Sequence, residues 1–536
     1  MQVNLYLIDY YPILIKILLG MIVVLFFLNF HKIISIFKPI QKRIWLLLLI
    51  IFLLGLALRL FFIPHTHYIF YDEYDHLNIA ENILYANKFC CCFAGSNENC
   101  SGCFLPQWPP AYHVFLSSVM KVFGDSEKVA FKTSAIIGSV TVVLVFLLGY
   151  LIFKNSYLAL AGSFLFNLIP VHLKYSGAIS PDIFFLFFTI LSLILSEIYF
   201  FRKKFSIFLL FLTTLIYTIQ IRPEGFMLIL WFFPILWKRG FFQKINFRYL
   251  IPLFIFGLLL IPLGFYIYYG TVNFPQTPWH NSLWERIANL KHNFLPNILF
   301  FLNYKINSVI LFLLSILGIA YYKKYFSSYY LSFFTVFFFT YSLYQLGYMN
   351  TPLLYHDGAV KFRSDAHRYS LILFLPLLIF AINGIDFIVQ KLKPIKNNNY
   401  KLAVLLGVAS LFLLSNLPAQ NFVFAQRDIF KSDHEFILSF QDKISENTYV
   451  ISRSPTAIIS TIHKKAIEPY IFLNIPPNSE IKNNVILFKD STWTNEGGNF
   501  GIENTLHEME NKLKEFYNFE LIEKSGQAAF YRLVPK

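Results

Sequence analysis

The sequence predicts a polytopic α-helical membrane protein with a small C-terminal α/β domain. Three features point there. Of its 536 residues 56% are hydrophobic and only 14% charged, against about 25% charged in a soluble domain, which excludes a soluble enzyme. Mean hydropathy is +0.55, and apolar runs of about 20 residues, enough to cross a hydrocarbon core of about 30 Å, recur as far as Leu417. Beyond that point the chain turns polar for its remaining length. The net charge of +15 does not indicate nucleic acid, because Lys and Arg gather in short clusters between apolar runs, as membrane orientation requires.

The first run, about Pro12 to Phe30, has no basic segment before it and no small-residue cleavage site after it, so it reads as a retained span with the N-terminus outside. Basic clusters then follow every second span: Lys32 to Arg43, Lys154, Arg202 to Lys204, Lys238 to Arg248, Lys323 and Lys324, and Lys391 to Lys401. The positive-inside rule makes these cytoplasmic. About twelve spans result, near 11–30, 44–63, 130–153, 157–175, 182–201, 205–221, 225–238, 249–269, 299–320, 328–348, 369–390 and 401–417. Polar segments 64–129, 270–298 and 349–368 then fall outside, with the tail 418–536. The expected division is a membrane domain over 1–417, including the outer loop 64–129, and an extracytoplasmic domain over 418–536. Strand-like runs at Thr448–Ser452, Asn484–Phe488 and Ala528–Leu533, with a helical pattern near Ile502–Phe516, suit one small α/β domain.

Chemistry is expected in the outer segments. Residues 71 to 85 place Leu77, Ala80, Ile83 and Leu84 at helical spacing and Asp72, Asp75, His76 and Ile79 on another face, as in an amphipathic helix lying on the membrane surface. Asp72, Glu73, Asp75 and His76 offer a base held against a partly dehydrated surface, where its pKa can rise. The bland alternative is an N-cap with first-turn acids.

All five cysteines (Cys90, Cys91, Cys92, Cys100, Cys103) lie in this loop. Disulfides stapling the loop are the simplest reading, with one thiol left over. Cys100 and Cys103 also have ligand-like spacing, although the adjacent triple Cys90 to Cys92 is poor geometry for a tetrahedral metal site. Pro109-Pro110-Ala111-Tyr112-His113 then opens a second interfacial stretch.

Arg222-Pro223-Glu224-Gly225 sits between two spans, where pairing or snorkelling must relieve its charges. Ser180-Pro181-Asp182 reads as a helix break followed by a first-turn acid. Before the eleventh span come His356, Asp357, Lys361, Arg363, Asp365, His367, Arg368 and Tyr369. Cations at the outer boundary run against the inside bias. They suit a phosphate, to which Arg presents a planar fork and Lys a point charge.

In this order the motifs resemble the polyprenyl-phosphate-sugar-dependent glycosyltransferases of GT-C fold, the group of the dolichyl-phosphate-mannose protein mannosyltransferases and the lipid A aminoarabinose transferases. The matching residues are Asp72-Glu73 with Leu77 and Ala80, Pro109 to Tyr112, Arg222 to Gly225, and Arg368-Tyr369 with Pro376, spanning about residues 44 to 390. The resemblance implies an inverting transfer of a sugar from a polyprenyl-phosphate donor to a protein, lipid or glycan acceptor on the extracytoplasmic side. Asp72 would be the base and Glu73 its support. Asp75, His76, Arg222, Glu224, Lys361, Arg363, His367, Arg368 and Tyr369 would bind substrate. No cofactor and no essential metal is implied, and no nucleic acid partner. The extra N-terminal span and the cysteine-rich insertion depart from the pattern.

The stretch Asp72 to Asn82 is also similar to the catalytic subunit of oligosaccharyltransferase, which would bring a divalent metal, but the tail lacks a Trp-Trp-Asp-Tyr-Gly motif. Two further classes compete. A lipid-carrier or solute transporter would place its charges near the midplane and show repeated halves; a thiol oxidoreductase would use the cysteine loop.

Overall fold

The computed structural model describes residues 2–67, 71–96, 98–106, 108–238, 247–273, 283–321, 328–343, 354–356, 359–361, 366–391, 400–424, 428–476, 479–493 and 503–536. Seven helices among them are long and apolar enough to cross a membrane: Tyr6–Phe37, Lys42–Phe62, Glu127–Phe153, Pro181–Arg202, Phe247–Ile267, His367–Lys391 and Leu406–Phe424. Shorter apolar helices, among them Phe205–Ile219, Val309–Ala320 and Tyr330–Ser342, fall on other expected spans.

Burial sorts the bundle into centre and rim. The His367–Lys391 helix is 89% buried over its apolar window, whereas Phe247–Ile267 is 11% buried. The central helix touches Val309–Ala320 backbone to backbone: a Cβ at Gly384 would stand 2.3 Å from the Leu314 carbonyl oxygen, so only glycine permits this crossing. Ser315 and Asn383 donate across the same seam to the carbonyls of Leu377 and Gly318, each at 2.7 Å. With no hydrophobic drive between helices in lipid, close packing and such bonds hold them together.

The expected fourth span, 157–175, is broken. It divides into Ser156–Asn167 and Pro170–Tyr175, because Pro170 carries no backbone N–H to continue the ladder. The break receives the buried Arg59, which donates to the Asn167 side chain (2.8 Å) and main chain (3.2 Å), the Gly55 carbonyl (2.9 Å) and Ser176 Oγ (3.3 Å), and meets His172 Nδ1 at 2.8 Å. The ninth span is also shorter than expected. Residues 301–308 form turns, and the segment expected to be an outer loop contains the helix Leu283–Phe300.

The tail contributes five strands of a six-stranded mixed sheet. In spatial order its strands are Ala94–Gly95, Ala466–Ile467, Tyr449–Ser452, Val485–Lys489, Ala528–Pro535 and Tyr517–Ser525. Tyr449–Ser452 runs parallel to both neighbours, and the other pairs are antiparallel. Alternate side chains serve two cores: Val450, Ile486 and Phe488 pack with Ile437, Ile458 and Phe530, while Ile451, Val485 and Leu487 pack with Phe472, Leu506 and Leu513. The expected strands and the Glu503–Phe516 helix are present.

One strand of this sheet comes from elsewhere. Ala94–Gly95 lies in the cysteine loop and pairs with Ala466–Ile467, so the first loop and the tail share a sheet. Cys90 is bonded to Cys103 and Cys92 to Cys100, leaving Cys91 as a buried free thiol. The stapled-loop reading therefore holds, and the cysteine metal reading loses its ligands.

Candidate active site

The helix Tyr71–Tyr85 departs from its expected place. Glu73, Tyr74, Leu77, Asn78, Glu81 and Asn82 are all buried, so it is clamped from both sides instead of floating on a membrane surface. The cause is the C-terminal domain: Thr456 donates to Asp75 (2.8 Å), Ser460 donates to Glu81 (2.6 Å), and Tyr74 enters the core around Phe436 and Ile458. On the opposite side Glu73 accepts the Ile179 N–H at 2.7 Å, fixing the helix to the loop before Pro181–Arg202.

Asp72 keeps a partly open carboxylate, its side chain 28% exposed, and pairs with Arg368 Nη2 at 3.0 Å. The chain thus closes a contact across 296 positions. Tyr369 carries cations on its ring, with Arg368 Cζ at 5.6 Å and Arg222 Cζ at 5.4 Å from the centroid, and stacks on Tyr341 at 5.0 Å. Such ring faces stabilise guanidinium groups by electrostatic attraction.

Arg222 is held from two directions. It makes a bidentate pair with Glu224 (3.1 and 3.0 Å) and a further pair with Asp182, which also accepts from Ser180. Burial opposes the Arg222 charge, but Asp182 and Glu224 more than restore it. Gly225 permits the turn, since a Cβ there would lie 2.6 Å from Ile219 Cα. The neighbouring Pro109 to Tyr112 motif is tied to the same turn by Ala111 N–H to the Gln220 carbonyl (3.1 Å) and by the Tyr217 hydroxyl to the Ala111 carbonyl (2.7 Å).

The structure brings Asp72, Arg368, Tyr369, Arg222 and Glu224 into one charged cluster, and adds Asp182, which sequence reading treated as a helix-start acid. His76 lies behind it. Its Nδ1 meets His113 Nε2 at 2.9 Å and its ring packs on Trp108 at 4.5 Å. Burial first, then the charges of His113, Arg368 and Arg222, hold its pKa well below the usual range, so it is neutral. Asp75 faces the C-terminal domain instead. Burial pushes it up to about 7, with Thr456 pulling down and the Asp72 charge pushing up. His367 is buried against Phe300 and Phe422. Arg363 and the Lys361 side chain lie outside the described residues.

An acid beside a fixed guanidinium, next to a second buried guanidinium, suits an anionic ester. The cluster stands near the ends of several candidate spans, with Asp72 on the helix that Thr456 and Ser460 of the C-terminal domain hold.

The fold is that of GT-C membrane glycosyltransferases. The structure aligns with the archaeal oligosaccharyltransferase AglB from Archaeoglobus fulgidus, solved with an inhibitory peptide and a dolichol-phosphate (TM-score 0.53, 14% identity, 91% of this chain and 74% of that one). It aligns equally with ArnT from Cupriavidus metallidurans bound to undecaprenyl phosphate (TM-score 0.53, 11% identity, 91% and 97%). The family model for dolichyl-phosphate-mannose-protein mannosyltransferase matches residues 109–277, which hold the Pro109 to Tyr112 and Arg222 to Gly225 motifs. No curated protein matches the chain in sequence. The resemblance to GT-C, polyprenyl-phosphate-sugar-dependent glycosyltransferases read from the motifs is thereby borne out.

Proposed function

We propose that the protein is a multi-pass membrane glycosyltransferase that moves a sugar from a polyprenyl-phosphate donor to an acceptor, with inversion and with Asp72 as the base. The observation that carries this is the Asp72–Arg368 pair at 3.0 Å, which the positive-inside reading places at the outer membrane boundary. In the resting enzyme each neutralises the other. A lipid phosphate gives Arg368 a competing anion, which frees the partly exposed carboxylate of Asp72 for an acceptor proton.

The acceptor oxygen or nitrogen attacks the anomeric carbon from the face opposite the phosphate. One bond forms to that carbon, the carbon–oxygen bond to phosphate breaks, and the acceptor proton passes to Asp72. Polyprenyl phosphate leaves with the electron pair, and Arg368 stabilises the charge that develops on it. Tyr369 holds the guanidinium in place, and the Arg222–Glu224–Asp182 cluster supports that ring. Glu73 positions the base by anchoring its helix to Ile179. By the charge bias of the loops, the site and the C-terminal domain face the extracytoplasmic side. Names of the matched proteins support the donor class, since AglB was solved with a dolichol-phosphate and ArnT with undecaprenyl phosphate.

The test is transfer from a panel of radiolabelled polyprenyl-phosphate monosaccharides in membranes carrying the protein, with protein and glycolipid fractions counted separately. Label in either fraction is expected and names the acceptor class. Failure to consume any donor of the panel, in membranes with verified expression, would refute the donor class.

A further inference from the structure

A second cluster of ligating side chains lies outside this site, where three distant segments meet. His67 follows the second span, Glu127 begins the third, and His434 belongs to the tail helix Asp428–Ser439. His67 Nε2 is 3.3 Å from Glu127 Oε1, and His434 Nε2 is 3.3 Å from Glu127 Oε2. One ligand atom from each residue falls in a group whose members are all within 4.8 Å of one another.

These contacts are long for charge-assisted hydrogen bonds, which run at about 2.7–2.9 Å. They are close to the ligand–ligand edge around a four-coordinate zinc, about 3.4 Å when both bonds are about 2.1 Å, with each histidine facing a different oxygen of Glu127. His67 supplies the independent sign. It is 6% exposed, Nδ1 has no hydrogen-bond partner, and Nε2 has only the long contact with Glu127, a costly arrangement for a buried imidazole.

The outer shell fits as well. The Tyr74 hydroxyl meets His434 Nδ1 at 2.6 Å, where its oxygen can accept the Nδ1–H of the tautomer that leaves Nε2 as the ligand, and Thr461 donates to Glu127 at 3.0 Å. Tyr74 also stacks on His67 with centroids 4.0 Å apart. A cavity of about 460 Å³ opens beside the three ligands, leaving room for a water or anion as fourth ligand.

We propose that His67, Glu127 and His434 form a zinc-class divalent-cation site that clamps the C-terminal domain onto the membrane core. Because Tyr74 lies two residues from Asp72, the clamp also holds the helix that carries the base. This site stands on its own geometry and does not depend on the proposed sugar transfer.

The experiment uses the full chain purified in detergent, stripped with a chelator and then titrated with Zn²⁺ and with Co²⁺ under oxidising conditions. One equivalent of each is expected to bind, zinc is expected to raise the unfolding temperature, and cobalt is expected to show visible d–d bands without a thiolate charge-transfer band. His434→Asn should weaken binding at least tenfold and abolish the zinc-dependent stabilisation. His67→Gln tests the same claim from the membrane side if His434→Asn does not fold. Absence of a stoichiometric equivalent in the wild type, wild-type affinity in a folded variant, or a thiolate band pointing to the cysteine loop would each overturn the proposal.

Discussion

Replacing Asp75 with asparagine should change how stability depends on pH, and the size of the change follows from the carboxyl's burial. The group sits between its own helix and Thr456, with its pKa pushed from 3.8 to about 7. Below pH 3.8 the folded and unfolded chains both hold the proton, and the contribution is fully present. From there to about pH 7 the unfolded chain releases the proton while the folded chain keeps it, so stability falls. About three units at about 1.4 kcal/mol each give a ceiling of about 4 kcal/mol lost above pH 7. The amide of the variant cannot ionise, yet still offers Oδ1 to the Thr456 hydroxyl. Thermal unfolding of both proteins in detergent at about pH 5 and about pH 8 therefore should show the variant gaining on wild type at the higher pH. Removing the Asp72 charge should shrink the gap, because that charge contributes to the shift. A gap that is the same at both pH values, or a variant less stable than wild type at the higher one, would refute the reasoning.

Further outcomes follow from the same contacts. Arg222→Met strands the buried carboxylates of Asp182 and Glu224 and should cost about 3–5 kcal/mol, read as a lower unfolding temperature, with Arg222→Lys recovering part of it. Gly225→Ala places a Cβ 2.6 Å from Ile219 Cα, where no side chain can yield, so folded protein recovered by size exclusion should drop sharply. Cys92→Ser with Cys100→Ser opens the shorter staple at about 2.5 kcal/mol by loop-closure entropy; faster proteolysis of the 90–104 loop is expected, and an unchanged rate would show that the Ala94–Gly95 pairing suffices alone.

What could be read from the sequence was what depends on neighbours in the chain. Spans announce themselves by uninterrupted apolar length, and Tyr449–Ser452 and Val485–Lys489 by short β-rich runs between polar turns. The Asp72-Glu73 pair, Arg222 to Gly225 and Arg368-Tyr369 were each visible, but their convergence was not, because Asp72 and Arg368 meet across 296 positions. The burial of the Tyr71–Tyr85 helix was hidden for the same reason: its cover, Thr456 and Ser460, lies in the tail. By sequence its polar residues suit a headgroup face, whereas Asp75 and Glu81 accept hydrogen bonds from another domain. Asp182 looked like a helix start because Ser180 and Pro181 also fit one, and its second role depends on Arg222. Cysteine spacing left the pairing open, and His67, Glu127 and His434 are isolated residues that no local pattern joins.

Sugar transfer in membranes containing wild type, Asp72→Asn or Asp72→Glu, at matched expression and with the donor that the panel identifies, tests the assignment of the base most directly. Loss of at least about a hundredfold in Asp72→Asn, with partial recovery in Asp72→Glu, is the predicted result. Transfer by Asp72→Asn at the wild-type rate would contradict it.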